Sequence, residues 1–243
     1  MRIDRARLAR WSVVPEPRRH GPSGDAPHQV LAELLATPAG TTRRRTHHLV
    51  LDLSASMATG EPRKGDEAAQ LVATLAAGAL VRGDLVQVSV GGGRGPQRLR
   101  GVALPRWDAL PGLLATLEAL EPEGSTDDLA AAIDRRSDRL VVVTDLLFEV
   151  AARERLLTRL AAATPEPIVV HVLAAADVTP DLRHVAEVID VETGERVRLR
   201  AEVQTARRFA AAVETWRTEI RLQCRRSGIR YVPWTTPPEG ARA

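Results

Sequence analysis

Residues 140–145 have the sequence Leu-Val-Val-Val-Thr-Asp, an apolar run that stops at a carboxylate. A short, continuous apolar run is typical of a strand that is buried on both faces of a parallel sheet. Residues 48–52 repeat the pattern as His-Leu-Val-Leu-Asp, and the last residue is again Asp. The two runs therefore predict two buried strands that end at Asp52 and Asp145.

Helical patterns alternate with strand patterns along the rest of the chain. The spacing of Ala, Leu and Val predicts helices over residues 66–81, 107–120, 129–136, 149–163 and 203–226. Further strands are predicted over residues 85–90, 98–104, 168–173 and 229–234, and a β-hairpin over residues 186–199. Such alternation predicts an α/β fold with a doubly wound, mainly parallel sheet flanked by helices.

The last predicted helix, residues 203–226, carries an apolar stripe. Its apolar residues recur every three or four positions, which predicts one long helix that packs on that face. They are Val203, Ala206, Ala210, Val213, Trp216, Ile220 and Cys224.

Composition limits the class of protein. The 243 residues are 44% hydrophobic, which is enough to bury a sizeable core and rules out disorder over most of the chain. The single cysteine, Cys224, excludes an intramolecular disulfide and a cysteine-based zinc site. The longest apolar stretches fall short of the ~20 residues that a membrane span needs, and the first residues contain no apolar signal-peptide region. We therefore expect a cytoplasmic protein without a membrane span.

Positive charge is concentrated near the start of the sequence. Residues 1–48 contain nine Arg and four acidic residues, a net charge of +5, so the remaining residues carry −2 of the chain's +3. Because the larger part of the chain is not basic, a nucleic-acid partner is not predicted. The composition predicts an irregular basic arm over residues 1–46, a globular domain over residues 47–236 and a disordered tail over residues 237–243.

Oxygen-bearing side chains cluster at the predicted carboxyl ends of the strands, where open parallel sheets bind their ligands. Asp52 is followed by Ser54 and Ser56, and side chains two apart on an extended segment point the same way. Thr126 opens a predicted helix, and Asp145 supplies a second carboxylate. An all-oxygen set with few charges suits a hard cation, Mg²⁺ first with Mn²⁺ or Ca²⁺ as alternatives. The sequence predicts a metal site at this solvent-facing sheet edge.

These five positions resemble the metal-ion-dependent adhesion site of von Willebrand factor A domains, which has the pattern Asp-x-Ser-x-Ser, then Thr, then Asp. The surrounding sequence resembles the domain-of-unknown-function 58 family over about residues 47–236, in the stretches 51–57, 81–84, 124–127, 142–145 and 192–195. The resemblance implies a von Willebrand factor A-like fold and a MoxR-type AAA+ ATPase as partner. A carboxylate of the partner would fill an open coordination position of the cation. The implied ligands are Asp52, Ser54, Ser56, Thr126 and Asp145.

An enzymatic alternative uses the same residues. A strand that ends in Asp52 and a later strand that ends in Thr144 and Asp145 also resemble haloacid-dehalogenase phosphatases, in which the first Asp attacks phosphorus. That mechanism needs a general-acid Asp two residues after the nucleophile, where this chain has Ser54, and a Lys later in the chain than Lys64. The motifs therefore favour a metal-dependent protein-binding module over an enzyme.

Overall fold

The fold is given by a computed structural model, which describes residues 1–5, 8, 34, 43–92, 102–104, 107–124, 129–133, 137–179, 187–189, 196–198 and 203–236. Its strands are β1 (Thr46–Asp52), β2 (Leu85–Gly91), β3 (Val102–Leu104), β4 (Arg139–Thr144), β5 (Pro167–Leu173), β6 (Glu187–Ile189), β7 (Arg196–Arg198) and β8 (Arg230–Thr235). Its helices are α1 (Lys64–Val81), α2 (Leu110–Glu118), α3 (Val150–Ala163), the short α4 (Ala175–Val178) and α5 (Val203–Arg226).

Six strands form one sheet in the order β3-β2-β1-β4-β5-β8. Strands β2, β1, β4, β5 and β8 run parallel to one another, and β3 pairs with β2 in the antiparallel direction. Strands β6 and β7 form a separate antiparallel pair, as the hairpin prediction requires. The predicted α/β fold with a mainly parallel sheet is confirmed.

Helices cover both faces of the sheet, so the sheet is doubly wound. On one face α1 and α2 pack against strand residues such as Leu49 and Leu51. On the other face α3 and α5 pack against the intervening residues, such as Val50 and Val142. Because successive strand residues point to opposite faces, an uninterrupted apolar run serves both cores. This explains why the runs in β1 and β4 contain no polar alternation.

Apolar side chains from the first 46 residues belong to the core beside α1 and α2. They are Met1, Ile3, Leu8 and Leu34, each less than a tenth exposed. The described apolar residues of the predicted arm are therefore packed against the domain. The division of the chain at residues 46 and 236 stays a prediction.

The helix predicted over residues 129–136 is wrong in its described part. Residues Ala130–Ala132 form a single 3-10 turn, and Ile133 then leaves the helical conformation with φ −89° and ψ 84°. The Ile133 carbonyl accepts a hydrogen bond from Arg159 Nε of α3 at 2.7 Å. A tertiary contact therefore takes the carbonyl that a helix would use internally, while Leu129 and Ile133 stay buried.

The stripe predicted on α5 packs over only part of its length. Ile220 and Cys224 are buried and Trp216 is half-buried, but Ala210 is exposed. Residues 207–212 are exposed on every side of the helix, so the described part of the stripe is packed only towards the end of α5. None of the described helices combines the length and the apolar character needed to cross a membrane.

Candidate functional site

The topological switch point of the sheet lies between β1 and β4. The chain passes from β1 to β2 on one side, whereas β4 and the strands after it lie on the other side. Open α/β sheets bind ligands at such a point, outside the carboxyl ends of the strands. Asp52 is the last residue of β1 and Asp145 directly follows β4, so the switch point brings both carboxylates to one place.

Asp52 is completely buried and tied to both strands. Its Oδ1 accepts a hydrogen bond from the backbone N–H of Ser54 at 2.8 Å, and its Oδ2 accepts one from Thr144 Oγ1 at 2.6 Å. Burial raises the pKa of Asp52 to about 7, and the negative charge of Asp145 adds to that rise, while the hydrogen bonds oppose it. The ionised form of Asp52 is therefore costly without a compensating cation.

The two serines of the motif converge. Ser54 Oγ and Ser56 Oγ are 3.1 Å apart, because a 3-10 turn over Ala55–Ala58 follows the extended Ser54. Backbone hydrogen bonds also join this loop to Gly124: Ala55 N donates to Gly124 O at 2.9 Å, and Gly124 N donates to Leu53 O at 3.1 Å. Thr126 lies outside the described residues, so its part in the site stays a prediction.

Gly92 allows the end of β2 to lie directly against the Asp52 loop. Its φ is +82°, and a Cβ at this position would lie 2.8 Å from Ser54 N and 3.2 Å from Asp52 Oδ1. A side chain would therefore displace the hydrogen bond between these two groups. Residues 91–93 are Gly-Gly-Gly, a local signal for a turn that does not report this contact.

Two residues of the candidate site, Lys64 and Asp177, were not predicted from the sequence. Lys64 Nζ lies 2.9 Å from Asp145 Oδ2 and 3.1 Å from Asp177 Oδ2, and the lysine is completely buried. Asp145 Oδ1 accepts a further hydrogen bond from the Leu147 N–H at 3.1 Å. The available signal was that Lys64 is the chain's single lysine among 34 basic residues.

His171 holds the backbone at Asp145. Its Nε2 lies 2.8 Å from the Asp145 carbonyl oxygen, and its Nδ1 lies 2.6 Å from Tyr231 Oη. Because a carbonyl only accepts, Nε2 carries the hydrogen and the Tyr231 hydroxyl donates to Nδ1. Burial lowers the pKa of His171 to about 3, so the ring stays neutral. Trp216 of α5 packs edge-on against it at 5.1 Å between ring centroids.

The site is more enclosed than the sequence predicted. Asp52, Ser54 and Asp145 have no exposed surface and Ser56 has 2%. The expectation of a solvent-facing edge is therefore wrong for these four residues. The segment after β1 packs against Gly92 and Gly124, and Thr144 at the end of β4 donates to Asp52.

The described residues fit a divalent cation by their chemistry. The donors are hard carboxylate and hydroxyl oxygens, and the mutual repulsion of Asp52 and Asp145 is the kind that a cation relieves. Asp52, Asp145 and Asp177 with Lys64 sum to −2 when all are ionised, which one divalent ion balances. In the described part of the chain no three His, Cys, Asp or Glu side chains group as metal ligands, so hydroxyls and water would complete the shell.

Comparisons with known proteins identify the family of the chain. Two solved structures resemble the chain: the "conserved hypothetical protein BatB from Bacteroides thetaiotaomicron" (TM-score 0.42, 15% identity, 79% of this chain and 91% of that one), and an "aerotolerance-related membrane protein from Bacteroides fragilis NCTC 9343" with multiple mutations to serines (TM-score 0.43, 16% identity, 78% and 90%). No curated protein matches the sequence. A family model matches residues 38–219, and the chain therefore belongs to the family described as "Protein of unknown function DUF58".

Proposed function

We propose that this protein is a divalent-cation-dependent protein-binding module. In this proposal Asp52, Ser54, Ser56, Thr126 and Asp145 hold a Mg²⁺, and a carboxylate of a partner protein completes its coordination. The supporting observation is that two carboxylates and two serine hydroxyls converge at the switch point, where the charge of Asp145 opposes ionisation of Asp52. A bound cation would act as a Lewis acid that attracts the partner's carboxylate. The chain's own residues would hold the cation in position.

The proposed partner is a MoxR-type AAA+ ATPase. Its support is the resemblance of the motifs to the DUF58 family, to which the chain belongs. An ATPase of this class works on cytoplasmic ATP, so the partnership would place the module in the cytoplasm. Because the described ligands are buried, a partner carboxylate has to displace what covers them, and we expect slow association.

Cation binding is the first prediction. We expect Mg²⁺ and Mn²⁺ to bind with a dissociation constant that is roughly micromolar to millimolar, since two carboxylates compensate only part of the cost of removing water from the ion. Asp52→Ala and Asp145→Ala should each abolish binding in a calorimetric titration. Glu154→Ala, which removes an exposed carboxylate on α3, is the control and should bind normally. Unchanged binding in both site variants would place the cation elsewhere.

Partner binding is the second prediction. EDTA and Thr126→Ala should each weaken capture of the ATPase by the immobilised protein, after incubation long enough to reach equilibrium. The far-ultraviolet circular dichroism of the protein should not change, because the cation is expected at the sheet edge and the two cores do not depend on it. Association that is equally strong in EDTA would mean that the partner binds through an interface that needs no cation, and it would contradict the bridging role of the cation.

Absence of phosphatase activity is the third prediction. Ser54 Oγ interacts with Ser56 Oγ, and a serine hydroxyl cannot protonate a leaving group efficiently near neutral pH. We therefore expect no hydrolysis of p-nitrophenyl phosphate above background with Mg²⁺ present. Ser54→Asp should instead raise the affinity for Mg²⁺ by adding a negative charge. Turnover by the unmodified protein that disappears in Asp52→Asn would favour the phosphatase alternative.

A further inference from the structure

Lys64 places a fixed positive charge beside the proposed cation site. It is the chain's single lysine and the first residue of α1, and its side chain is 1% exposed. A buried ammonium is stable only when it is paired and hydrogen-bonded. Lys64 has two carboxylate partners, Asp145 at 2.9 Å and Asp177 at 3.1 Å. One of these partners is a proposed cation ligand and the other is not.

Three separate segments build this arrangement. The backbone N–H of Lys64 donates to Thr59 O at 2.9 Å, which fixes the start of α1 against the preceding loop. That loop touches the start of α4, because a Cβ on Gly60 would lie 2.6 Å from Ala174 Cβ. Asp177 in turn accepts a hydrogen bond from Ala174 N at 2.9 Å. The ammonium is therefore held between the end of β4 and α4.

We propose that Lys64 competes with the cation for Asp145 and moves fully onto Asp177 when the cation binds. This inference rests on the proposed function of the site. A divalent ion on Asp145 repels an ammonium a few ångströms away, and that repulsion is large where water is excluded. Asp177 already contacts the ammonium and is 27% exposed at its side chain, so it can hold the charge alone at low cost. Cation binding would thereby be coupled to α4.

The direct test replaces the ammonium and measures the metal alone. Lys64→Met should raise the affinity for Mn²⁺ at least about tenfold, because a like charge is removed from the site. The affinity is measured from the electron paramagnetic resonance signal of the free ion. Arg63→Met is the matched control. It removes a positive charge one residue away, but Arg63 is 38% exposed and pairs with Asp66 and Glu121 outside the site. Equal or weaker binding by Lys64→Met overturns the proposal.

A double-mutant cycle tests the transfer to Asp177. Asp177→Asn should weaken Mn²⁺ binding, since Asp145 is then the ammonium's one carboxylate partner among the residues that the structure describes. In the Lys64→Met background the same substitution should have less than half of that effect on the logarithm of the affinity. An Asp177→Asn effect of equal size in both backgrounds would mean that Asp177 acts only through its own charge, and it would overturn the transfer.

A measurement on the unmodified protein covers the case in which Lys64→Met does not fold. The ammonium of a single lysine gives one side-chain signal in a ¹H–¹⁵N nuclear magnetic resonance spectrum, so its assignment needs no variant. Addition of Mg²⁺ should shift this signal with the same concentration dependence as cation binding measured by calorimetry. A lysine signal that stays in place at saturating Mg²⁺ overturns the proposal.

The outcomes separate this inference from the proposed function. If Lys64→Met binds Mn²⁺ and the unmodified protein does not, competition by Lys64 is supported and a cation-dependent function of the natural chain fails. If the unmodified protein binds Mn²⁺ and Lys64→Met binds it no better, the proposed function stands and the competition is overturned. If neither binds the ion, both are overturned.

Discussion

Asp52→Asn is expected to make the protein more stable at pH 8 in EDTA and, at the same time, to abolish its stabilisation by Mg²⁺. The pKa of Asp52 is raised from 3.8 to about 7 by burial and by the charge of Asp145. A group whose pKa is raised by folding contributes stability that is complete below its unfolded pKa and lost as the pH rises through the folded value. Between about pH 4 and pH 7, Asp52 therefore makes the fold progressively less stable.

An asparagine at this position keeps the shape of the group without its charge. Its carbonyl oxygen can accept the hydrogen bond from Ser54 N, and its amide can donate to Thr144 Oγ1, whose hydroxyl rotates. We expect the free energy of unfolding in urea to rise by about 4 kcal/mol at pH 8, because the pKa rises from 3.8 to about 7 and each unit corresponds to roughly 1.4 kcal/mol. At pH 5 the two proteins should differ much less.

The matched control, Asp138→Asn, is expected to change the stability at pH 8 in the opposite direction. Asp138, directly before β4, has its pKa lowered by a hydrogen bond from Thr46 N and by the Arg43 guanidinium. The stability that it contributes is present above its unfolded pKa and lost in acid, so Asp138→Asn should destabilise the protein at pH 8. An Asp52→Asn protein that is less stable than the unmodified one at pH 8 would contradict the electrostatic account of the site.

Gly92→Ala is expected to have the next largest effect. It should lower the free energy of unfolding by about 3 kcal/mol and the affinity for Mn²⁺ at least tenfold. About 1 kcal/mol comes from the positive φ of +82°, which a residue with a Cβ adopts reluctantly. The rest comes from the new Cβ, which would lie 2.8 Å from Ser54 N and break its hydrogen bond to the buried Asp52.

Gly83→Ala measures the contribution of the positive φ alone, so its difference from Gly92→Ala isolates the contribution of the close contact. Gly83 has φ +79°, close to that of Gly92, but a Cβ there would meet no atom within 4 Å. The Gly83→Ala protein should lose about 1 kcal/mol of its free energy of unfolding, measured in urea, and should bind Mn²⁺ as the unmodified protein does. If Gly83→Ala and Gly92→Ala lose the same stability and both bind the ion, the close approach of Gly92 to Asp52 has no functional part.

The central strands and part of the site were predictable because their signals are local. The runs that become β1 and β4 are apolar at consecutive positions, which two-sided burial requires, and Asp52, Ser54 and Ser56 lie within five residues. The parallel topology then brings Asp145 to the same edge, since both strands end there. Nothing beyond strand order and strand direction was needed for that step.

The remaining parts depend on contacts between distant residues. A lysine at the start of a helix is ordinarily solvated, and the burial of Lys64 follows from Asp145 and Asp177, which lie far along the chain. For α5 the periodicity predicted its bounds, Val203–Arg226, because helix formation follows local spacing. The periodicity could not predict that residues 207–212 are exposed, because it does not report the size of the surface that a helix covers.

The hydrogen bond between Tyr231 and His171 makes the final geometry of the candidate site depend on a late strand of the sheet. Tyr231 lies on β8, which joins the edge of the sheet beside β5, and through His171 it secures the carbonyl of Asp145. Contacts between residues far apart in sequence close late, because chain entropy has to be overcome first. During synthesis Asp52, Lys64 and Asp145 are all made well before Tyr231. A nascent chain can thus assemble β1, β2, β4 and β5 before the backbone of Asp145 is anchored, so we expect the loop after β4 to take its final position only when β8 is in place.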